Sequence, residues 1–139
     1  MFTLDANIFA RDIDPSEAKH ETCHALIEQL RLQNISIIVP LLILPEIAAS
    51  VSRTRRDPVR ARVFVDIVRS LPTIMLMPLD QALADEAAEL AANRALRGAD
   101  AVYVAVARRY NCVLVSLDRE QRERAALVIT ALTPTQALA

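Results

Sequence analysis

Four acidic residues stand at positions where their side chains could act together. Asp5 and Asp118 each follow an apolar run typical of a buried strand, whereas Glu46 and Asp100 lie at the starts of helical segments. In a parallel α/β sheet these positions share one edge, because each strand passes into its following helix there. We therefore expect the four carboxylates to meet at one rim of a sheet.

Each acid, taken alone, also has a structural interpretation. Asp5, Asp100 and Asp118 suit helix N-caps, and Glu46 suits the positive end of a helix dipole. Together, however, four crowded carboxylates would repel one another unless a cation joined them, and an all-oxygen site suits Mg²⁺ or Mn²⁺. Such ions, singly or as a pair about 4 Å apart, activate water and neutralise charge on a phosphodiester. The set therefore favours phosphodiester hydrolysis.

The segments that carry the acids alternate between strand and helix patterns. Apolar, β-branched runs predict five strands, at residues 1–4, 35–39, 73–79, 112–115 and 127–129. Helical patterns separate them and a last helical turn follows at residues 133–136. This alternation predicts an α/β protein, with three α/β/α layers and a five-stranded, mostly parallel sheet, formed by one domain over residues 1–139.

Several residues predict where the helices begin and end. Asp14-Pro15-Ser16-Glu17 has the pattern of an N-cap, a first helical proline and a capping box. Asp57 and Asp80 fit N-caps of two further helices, and Gly98, the only glycine, fits the C′ residue that ends the second of them. Residues 101–107 are apolar on every side, which predicts a buried helix.

The overall charge of the chain argues against a protein that binds nucleic acid strongly and non-specifically. A net charge of −1 over 139 residues creates no global positive field, so strong non-specific binding is not expected. Of the 16 basic residues, only Lys19 is a lysine. The arginine excess fits phosphate recognition or a genome-wide codon bias.

The cysteines and apolar runs bear on where the protein acts. Cys23 and Cys112 have apolar neighbours and indicate buried thiols of a reducing compartment rather than a disulfide. No apolar run is long enough to span a bilayer, and the N-terminal stretch contains Asp5 and no basic leader. We expect a cytoplasmic protein with no membrane partner.

A second motif offers an alternative chemistry. His20-Glu21-Thr22-Cys23-His24 matches the H-E-x-x-H pattern of zinc peptidases, whose histidines share a helix face. The buried stripe of this helix centres on Cys23, Leu26, Ile27 and Leu30, so both histidines fall on its flank. The chain has only these 2 histidines. We therefore favour two surface histidines over a peptidase site.

The ordered set of acids resembles that of the PIN-domain ribonucleases, and is most similar to that of the small toxins of the VapBC type. The resemblance covers nearly the whole chain. Its residues are Asp5 in Leu4-Asp5-Ala6-Asn7, Glu46 in Pro45-Glu46-Ile47, Asp100 in Ala99-Asp100-Ala101, and Ser116-Leu117-Asp118.

The resemblance implies a site, a reaction and partners. It implies a metal site formed by Asp5, Asp100 and Asp118, with Glu46 as a ligand or water-holder and with Asn7 and Ser116 as polar supports. The implied reaction is Mg²⁺- or Mn²⁺-dependent endonucleolytic cleavage of RNA by a PIN-like nuclease domain. The implied partners are a second copy, in a homodimer, and an antitoxin whose tail enters the active-site groove.

Two features depart from the family pattern. Many such toxins carry an additional acid; only Glu120 stands near the right place, and its charged neighbours favour a surface helix instead. The near-neutral charge leaves RNA contacts to arginines close to the acids, namely Arg11, Arg53, Arg55, Arg56, Arg97 and Arg119. A binding module that kept the fold but lost the chemistry is the alternative function.

Overall fold

The computed structural model describes all of residues 1–139 and contains five strands and eight helices. In chain order the elements are β1 (Phe2–Leu4), α1 (Ala6–Ile13), α2 (His20–Leu32), β2 (Ile37–Pro40), α3 (Ile43–Arg55), α4 (Pro58–Arg69), β3 (Ile74–Met77), α5 (Gln81–Arg94), α6 (Gly98–Arg109), β4 (Val113–Val115), α7 (Arg119–Ala125), β5 (Ala131–Leu132) and α8 (Pro134–Leu138).

The five strands form one sheet in the order β3-β2-β1-β4-β5, and every neighbouring pair is parallel. The direction of strand progression reverses between β1 and β4. Because crossovers between parallel strands are right-handed, this reversal places helices on both faces of the sheet. The predicted α/β/α fold is confirmed, and the sheet is parallel throughout.

The register at the centre of the sheet aligns the ends of β1 and β4, which precede Asp5 and Asp118. Leu4 of β1 pairs with Val115 of β4, and the Asp5 amide donates to the Val115 carbonyl at 3.0 Å. On the other side of β1, the buried Thr3 hydroxyl donates to the Ile38 carbonyl at 2.7 Å. The chain therefore leaves β1 and β4 at the same height.

Helix α6 is the most deeply buried helix of the fold. Its residues 101–107 are all buried, as their apolar sequence predicts, and the helix packs on β1, β2 and β4. They belong to a core of 33 buried residues. Neither α6 nor any other helix combines the length and the apolar character that crossing a membrane requires.

The predicted start of α2 is wrong. This helix begins at His20, after Lys19 in a left-handed conformation (φ 68°), and not at Asp14. Asp14 instead follows the end of α1, and its buried carboxylate accepts hydrogen bonds from the Ser16 amide (3.0 Å) and hydroxyl (2.7 Å). It also pairs with Arg55 at the end of α3. Arg55 is distant from Asp14 in the sequence, so a local pattern cannot predict this contact. The predicted capping box of Asp14 with Glu17 is therefore not formed.

Two further boundaries differ from the sequence predictions. Helix α5 ends at Arg94 with Ala95 in a left-handed conformation (φ 53°), so Gly98 is the first residue of α6 rather than a C′ residue. The fifth strand is Ala131–Leu132, not residues 127–129, because the amides of Val128 and Ile129 still bind the Ala125 carbonyl in the last turn after α7. The predicted N-caps are confirmed: Asp57 accepts from the Arg60 amide and Asp80 from the Leu83 amide.

The contacts of Asp14 lead to a stability prediction. Asp14→Ala removes a buried acceptor of two hydrogen bonds and the partner of Arg55, so we expect the free energy of unfolding to fall by about 1–3 kcal/mol. Urea denaturation measures this change. Glu17→Ala is the matched control and should change stability by less than about 0.5 kcal/mol. Equal losses in both variants would instead support the capping box.

Candidate active site

Asp5 and Asp118 cap helices at the carboxyl edge of the two central strands. Asp5 follows β1, and its Oδ1 accepts a hydrogen bond from the Ala6 amide at 2.9 Å. Asp118 follows β4 after a two-residue turn, and its Oδ1 accepts from the Gln121 amide at 3.1 Å. Each capping bond fixes one oxygen of a carboxylate at the start of a helix.

Glu46 and Asp100 reach the same edge without capping a helix. Glu46 is in the first turn of α3, whose N-cap residue is Leu42, and Asp100 is in the first turn of α6, whose N-cap residue is Arg97. The capping interpretation therefore explains Asp5 and Asp118 but not Glu46 and Asp100, whose first-turn positions favour only the helix dipole.

The charges of the four acids act on one another. Burial raises the pKa of Asp5 to about 6, against the opposing hydrogen bond from the Ala6 amide, and the negative charges of Asp100 and Asp118 raise it further. Burial likewise raises the pKa of Glu46 to about 7, with contributions from Asp5 and Asp100. The pKa of Asp100 is raised by burial and by Asp118, while Arg97 opposes the shift. The four acids therefore lie within electrostatic reach of one another.

Ser116 and Tyr103 lie beneath these acids. The buried Ser116 hydroxyl accepts from the Asp118 amide at 3.0 Å, and its interaction with Asp5 lowers the pKa of that carboxyl. Sequence reasoning missed Tyr103, a fully buried residue one helical turn after Asp100. Tyr103 lowers the pKa of Glu46, yet neither its hydroxyl nor Oε1 of Glu46 makes a hydrogen bond of normal geometry. The spacing of three from Asp100 along an otherwise apolar helix is the signal that could have identified it.

The donor set fits a hard divalent cation. All four acids offer oxygen, and a buried Glu46 oxygen without a partner is an acceptor that a cation or its water can satisfy. No three acidic, histidine or cysteine side chains are gathered tightly enough to form a metal centre by themselves. Mg²⁺ does not require three, because it is commonly held by one or two carboxylates and several waters.

A recess of about 520 Å³ adjoins Glu46 between α1 and α3. Its lining residues are Asn7, Glu46, Ala49, Ser50, Arg53 and Thr54. Those from α3 recur every three or four residues, so one face of this helix leads from Glu46 to Arg53. The recess gives the acid cluster a polar extension with a guanidinium at its far end.

The six arginines proposed for RNA contacts differ in their surroundings. Three already have protein partners: Arg11 donates to the Ala18 carbonyl, Arg55 pairs with Asp14, and Arg119 pairs with Glu123. Arg53, Arg56 and Arg97 form no ion pair within the chain. Of these three, Arg97 lowers the pKa of Asp100 and Arg53 lines the recess beside Glu46.

Two other acidic candidates have surface roles. Glu120 forms an ion pair with Arg124 within α7, as its charged neighbours predict, and it also raises the pKa of Asp100. Glu21 of the H-E-x-x-H motif is exposed, and the two histidines direct their Nδ1 atoms to α1. No third histidine, cysteine or acidic side chain is grouped with these histidines in a metal-binding arrangement.

The raised pKa of Glu46 predicts a pH-dependent stability. Its pKa of about 7 in the folded protein lies above the ordinary value of 4.5, so its contribution to stability falls as pH rises between these values. In EDTA, Glu46→Gln should therefore gain stability over the wild type across this interval, by at most about 1.4 kcal/mol per pH unit. Urea titrations at several pH values measure the difference. A difference between Glu46→Gln and the wild type that does not change with pH would contradict the raised pKa.

Comparison with known proteins identifies the fold family. The family model described as the PIN domain matches residues 2–127. Several solved structures share the fold at low sequence identity. The VapBC2 complex of Rickettsia felis, bound to a DNA fragment from its promoter, superposes with a TM-score of 0.71 at 18% identity, covering 95% of this chain and 97% of that one. VapC20 of Mycobacterium tuberculosis, a toxin that cleaves the sarcin-ricin loop, gives 0.72 at 18% identity, with 88% and 94% covered.

A toxin-antitoxin complex from Klebsiella pneumoniae gives a TM-score of 0.66 at 17% identity, covering 96% of this chain and 98% of that one. No curated protein sequence matches the chain significantly. The similarity to the solved structures concerns the fold, whereas the family match extends over most of the sequence. The chain belongs to the PIN domain family.

Proposed function

We propose that this protein is a divalent-metal-dependent endoribonuclease and the toxin of a toxin–antitoxin pair. The observation that carries the proposal is the set of four acids at the carboxyl edge, three of them with pKa values raised by burial and by one another. The structural likeness to a toxin that cleaves the sarcin-ricin loop supports RNA as the substrate. We assign the activity to one nuclease domain over residues 1–139, supported by the family match to residues 2–127.

In this proposal each acid has a role that follows from its environment. Asp5, Asp100 and Asp118 would hold Mg²⁺ or Mn²⁺ together with waters, and the ion would supply a lowered pKa of bound water and positive charge beside the scissile phosphate. Glu46 has a pKa of about 7, so near neutral pH it can hold the attacking water and accept its proton. Ser116 positions Asp118 through its amide, and Asn7 contributes a polar side chain at the mouth of the recess.

The roles of Asp5 and Asp100 can be tested by removing charge while keeping shape. Asp5→Asn and Asp100→Asn should each lower RNA cleavage by about 10²-fold or more, because the site then holds its cation poorly. Gel assays on single-stranded RNA with Mg²⁺, Mn²⁺ or EDTA measure this. The activity of the wild type should require one of the two ions.

Asp80→Asn is the matched control, since an asparagine preserves the cap of α5 far from the site, and it should cleave like the wild type. Unfolding of the Asp5 and Asp100 variants would point to a structural role instead. A wild type that binds RNA without cutting it under any of these conditions would support the catalytically silent module.

We further propose that the RNA backbone runs along the recess from Glu46 to Arg53. Arg53→Ala, made in the inactive Asp5→Asn background, should weaken RNA binding at low salt. It should also reduce the slope of the logarithm of the RNA-binding constant against the logarithm of the salt concentration by about 0.7, because one phosphate contact to a single strand is lost. Fluorescence anisotropy with labelled RNA measures both quantities. Arg69→Ala, at the carboxyl-terminal end of α4, should change neither quantity; equal effects of the two variants would exclude a specific path.

An antitoxin is the proposed partner, supported by the fold likeness to toxin-antitoxin complexes. A groove of about 530 Å³ between α3 and α4 is suited to apolar side chains of such a partner. Most of its lining residues are small or apolar. The lining residues are Ala48, Ala49, Ser52, Pro58, Ala61, Arg62, Val65 and Asp66. With RNA as its substrate, the protein would act in the cytoplasm.

We also propose a homodimer formed through the outer face of α4. Val59, Val63 and Ile67 recur every four residues along this face and are 66%, 49% and 40% exposed. The edge strand β3, next along the chain, exposes Met75. An exposed apolar stripe of this kind suits a self-complementary two-fold contact.

The dimer proposal leads to a direct test. Val63→Glu places a charge in the middle of the stripe, so we expect it to convert a dimer into a monomer. The free energy of unfolding of each chain should change by no more than about 1 kcal/mol. Size-exclusion chromatography with light scattering measures the mass. Arg69→Glu, at the end of the same helix, should remain dimeric. A wild type that is monomeric at micromolar concentration would contradict the proposal.

A further inference from the structure

A pair of histidines at the start of α2 has a geometry that the nuclease site does not use. His20 and His24 lie one helical turn apart, with their ring centroids 5.5 Å from each other and their planes within 15° of parallel. His24 is 55% exposed, so the pair faces solvent. Both rings contact residues near the end of α1, and neither contacts the four acids.

The hydrogen bonds of the pair fix the proton on the same atom of each ring. Nδ1 of His20 lies 2.7 Å from the Arg11 carbonyl, which can only accept, so this nitrogen carries the hydrogen. Nδ1 of His24 lies 2.8 Å from Oδ1 of Asp12, a carboxylate whose side chain is only 13% exposed. When the rings are neutral, both Nε2 atoms therefore present bare lone pairs, and no protein group occupies them.

This is the arrangement that metal-binding histidines use. A ligating imidazole normally donates its other N–H to a carboxylate or a backbone carbonyl, which fixes the tautomer and makes the ligand more basic. Histidines four residues apart on a helix can bind one ion together. Here one ring has the carbonyl partner and the other the carboxylate partner, so the outer shell of such a site is already formed.

We propose that His20 and His24 form a two-histidine site for a borderline transition-metal ion such as Zn²⁺ or Ni²⁺, with waters as the remaining ligands. To share one ion, the two stacked rings must turn so that their Nε2 atoms converge on it. Glu28, the next acid along this face, is held by Arg31 through contacts of 2.8 to 3.2 Å and adds no ligand. A site with two protein ligands binds its ion reversibly and does not perform peptidase chemistry.

The site is distinct from the acid cluster in both place and chemistry. Asp12 lies seven residues along α1 from Asp5, about 10 Å by helical rise. Imidazole nitrogen selects Zn²⁺, Ni²⁺ and Cu²⁺, whereas the carboxylate oxygens select Mg²⁺ and Mn²⁺. Because both rings are tied to α1, an ion bound to them stabilises the contact between α1 and α2, and hence the helix that begins at Asp5.

Isothermal titration calorimetry of the full chain, free of any affinity tag, tests the proposal. Zn²⁺ or Ni²⁺ is added in the presence of excess Mg²⁺, which occupies the acid cluster. We expect one ion per chain for the wild type and a loss of binding in His20→Ala and in His24→Ala. Asp12→Asn should weaken binding by about 10- to 100-fold, because the Nδ1 partner of His24 loses its charge.

Two controls keep the outcome clear. Asp5→Asn should bind Zn²⁺ like the wild type; if it loses the ion instead, zinc occupies the acid cluster and the proposal is wrong. Thermal melting in EDTA establishes that each variant folds, and added Zn²⁺ should raise the melting temperature only where both histidines are present. Binding that persists in His24→Ala, or none in the wild type at millimolar zinc, overturns the proposal. Neither result depends on RNA cleavage, so the nuclease function is judged separately.

Discussion

The repulsion among carboxylates held at one edge of a parallel sheet is the constraint on which the site depends. Asp5 and Glu46 have pKa values of about 6 and about 7 because they are buried beside other acids. The fold accepts this unfavourable charge because the elements beneath it are fixed: β1 pairs with β4 at the centre of the sheet, and α6 is buried over seven successive residues. A divalent cation would relieve the repulsion, so metal affinity and strain in the metal-free protein have the same origin.

The topology explains why these acids come from four distant parts of the chain. Strand order reverses between β1 and β4, and the helices that follow the strands diverge there to opposite faces. Asp5 and Asp118 follow the two central strands at this point. Glu46 and Asp100 lie in the first turns of α3 and α6, and the charges of Asp5 and Asp100 raise the pKa of Glu46.

Structural elements could be predicted from the sequence where one local pattern decides the structure. The apolar residues 101–107 predict a buried helix, and Asp57 and Asp80 predict N-caps, because burial and capping depend on neighbours in sequence. The four acids could be assigned to one edge because parallel topology follows from the alternation of strands and helices.

Sequence prediction failed where the local pattern of residue types did not decide the structure. Asp14 has the neighbours of an N-cap, but Arg55 draws its carboxylate to the end of α3. Gly98 has the type of a helix terminator, yet Ala95 takes the left-handed conformation and the next helix starts at the glycine. Tyr103 looked like one more core residue, because only the three-dimensional structure brings its hydroxyl under Glu46.

The double use of Asp5 and Asp118 as helix caps has an evolutionary consequence. Asparagine caps a helix as well as aspartate does, so the exchange of one for the other keeps the local fold and removes a negative charge from a crowded edge. Selection for folding alone therefore does not preserve these acids. A lineage released from the need for its enzymatic activity can lose that activity by a single exchange and keep the scaffold as a binding protein.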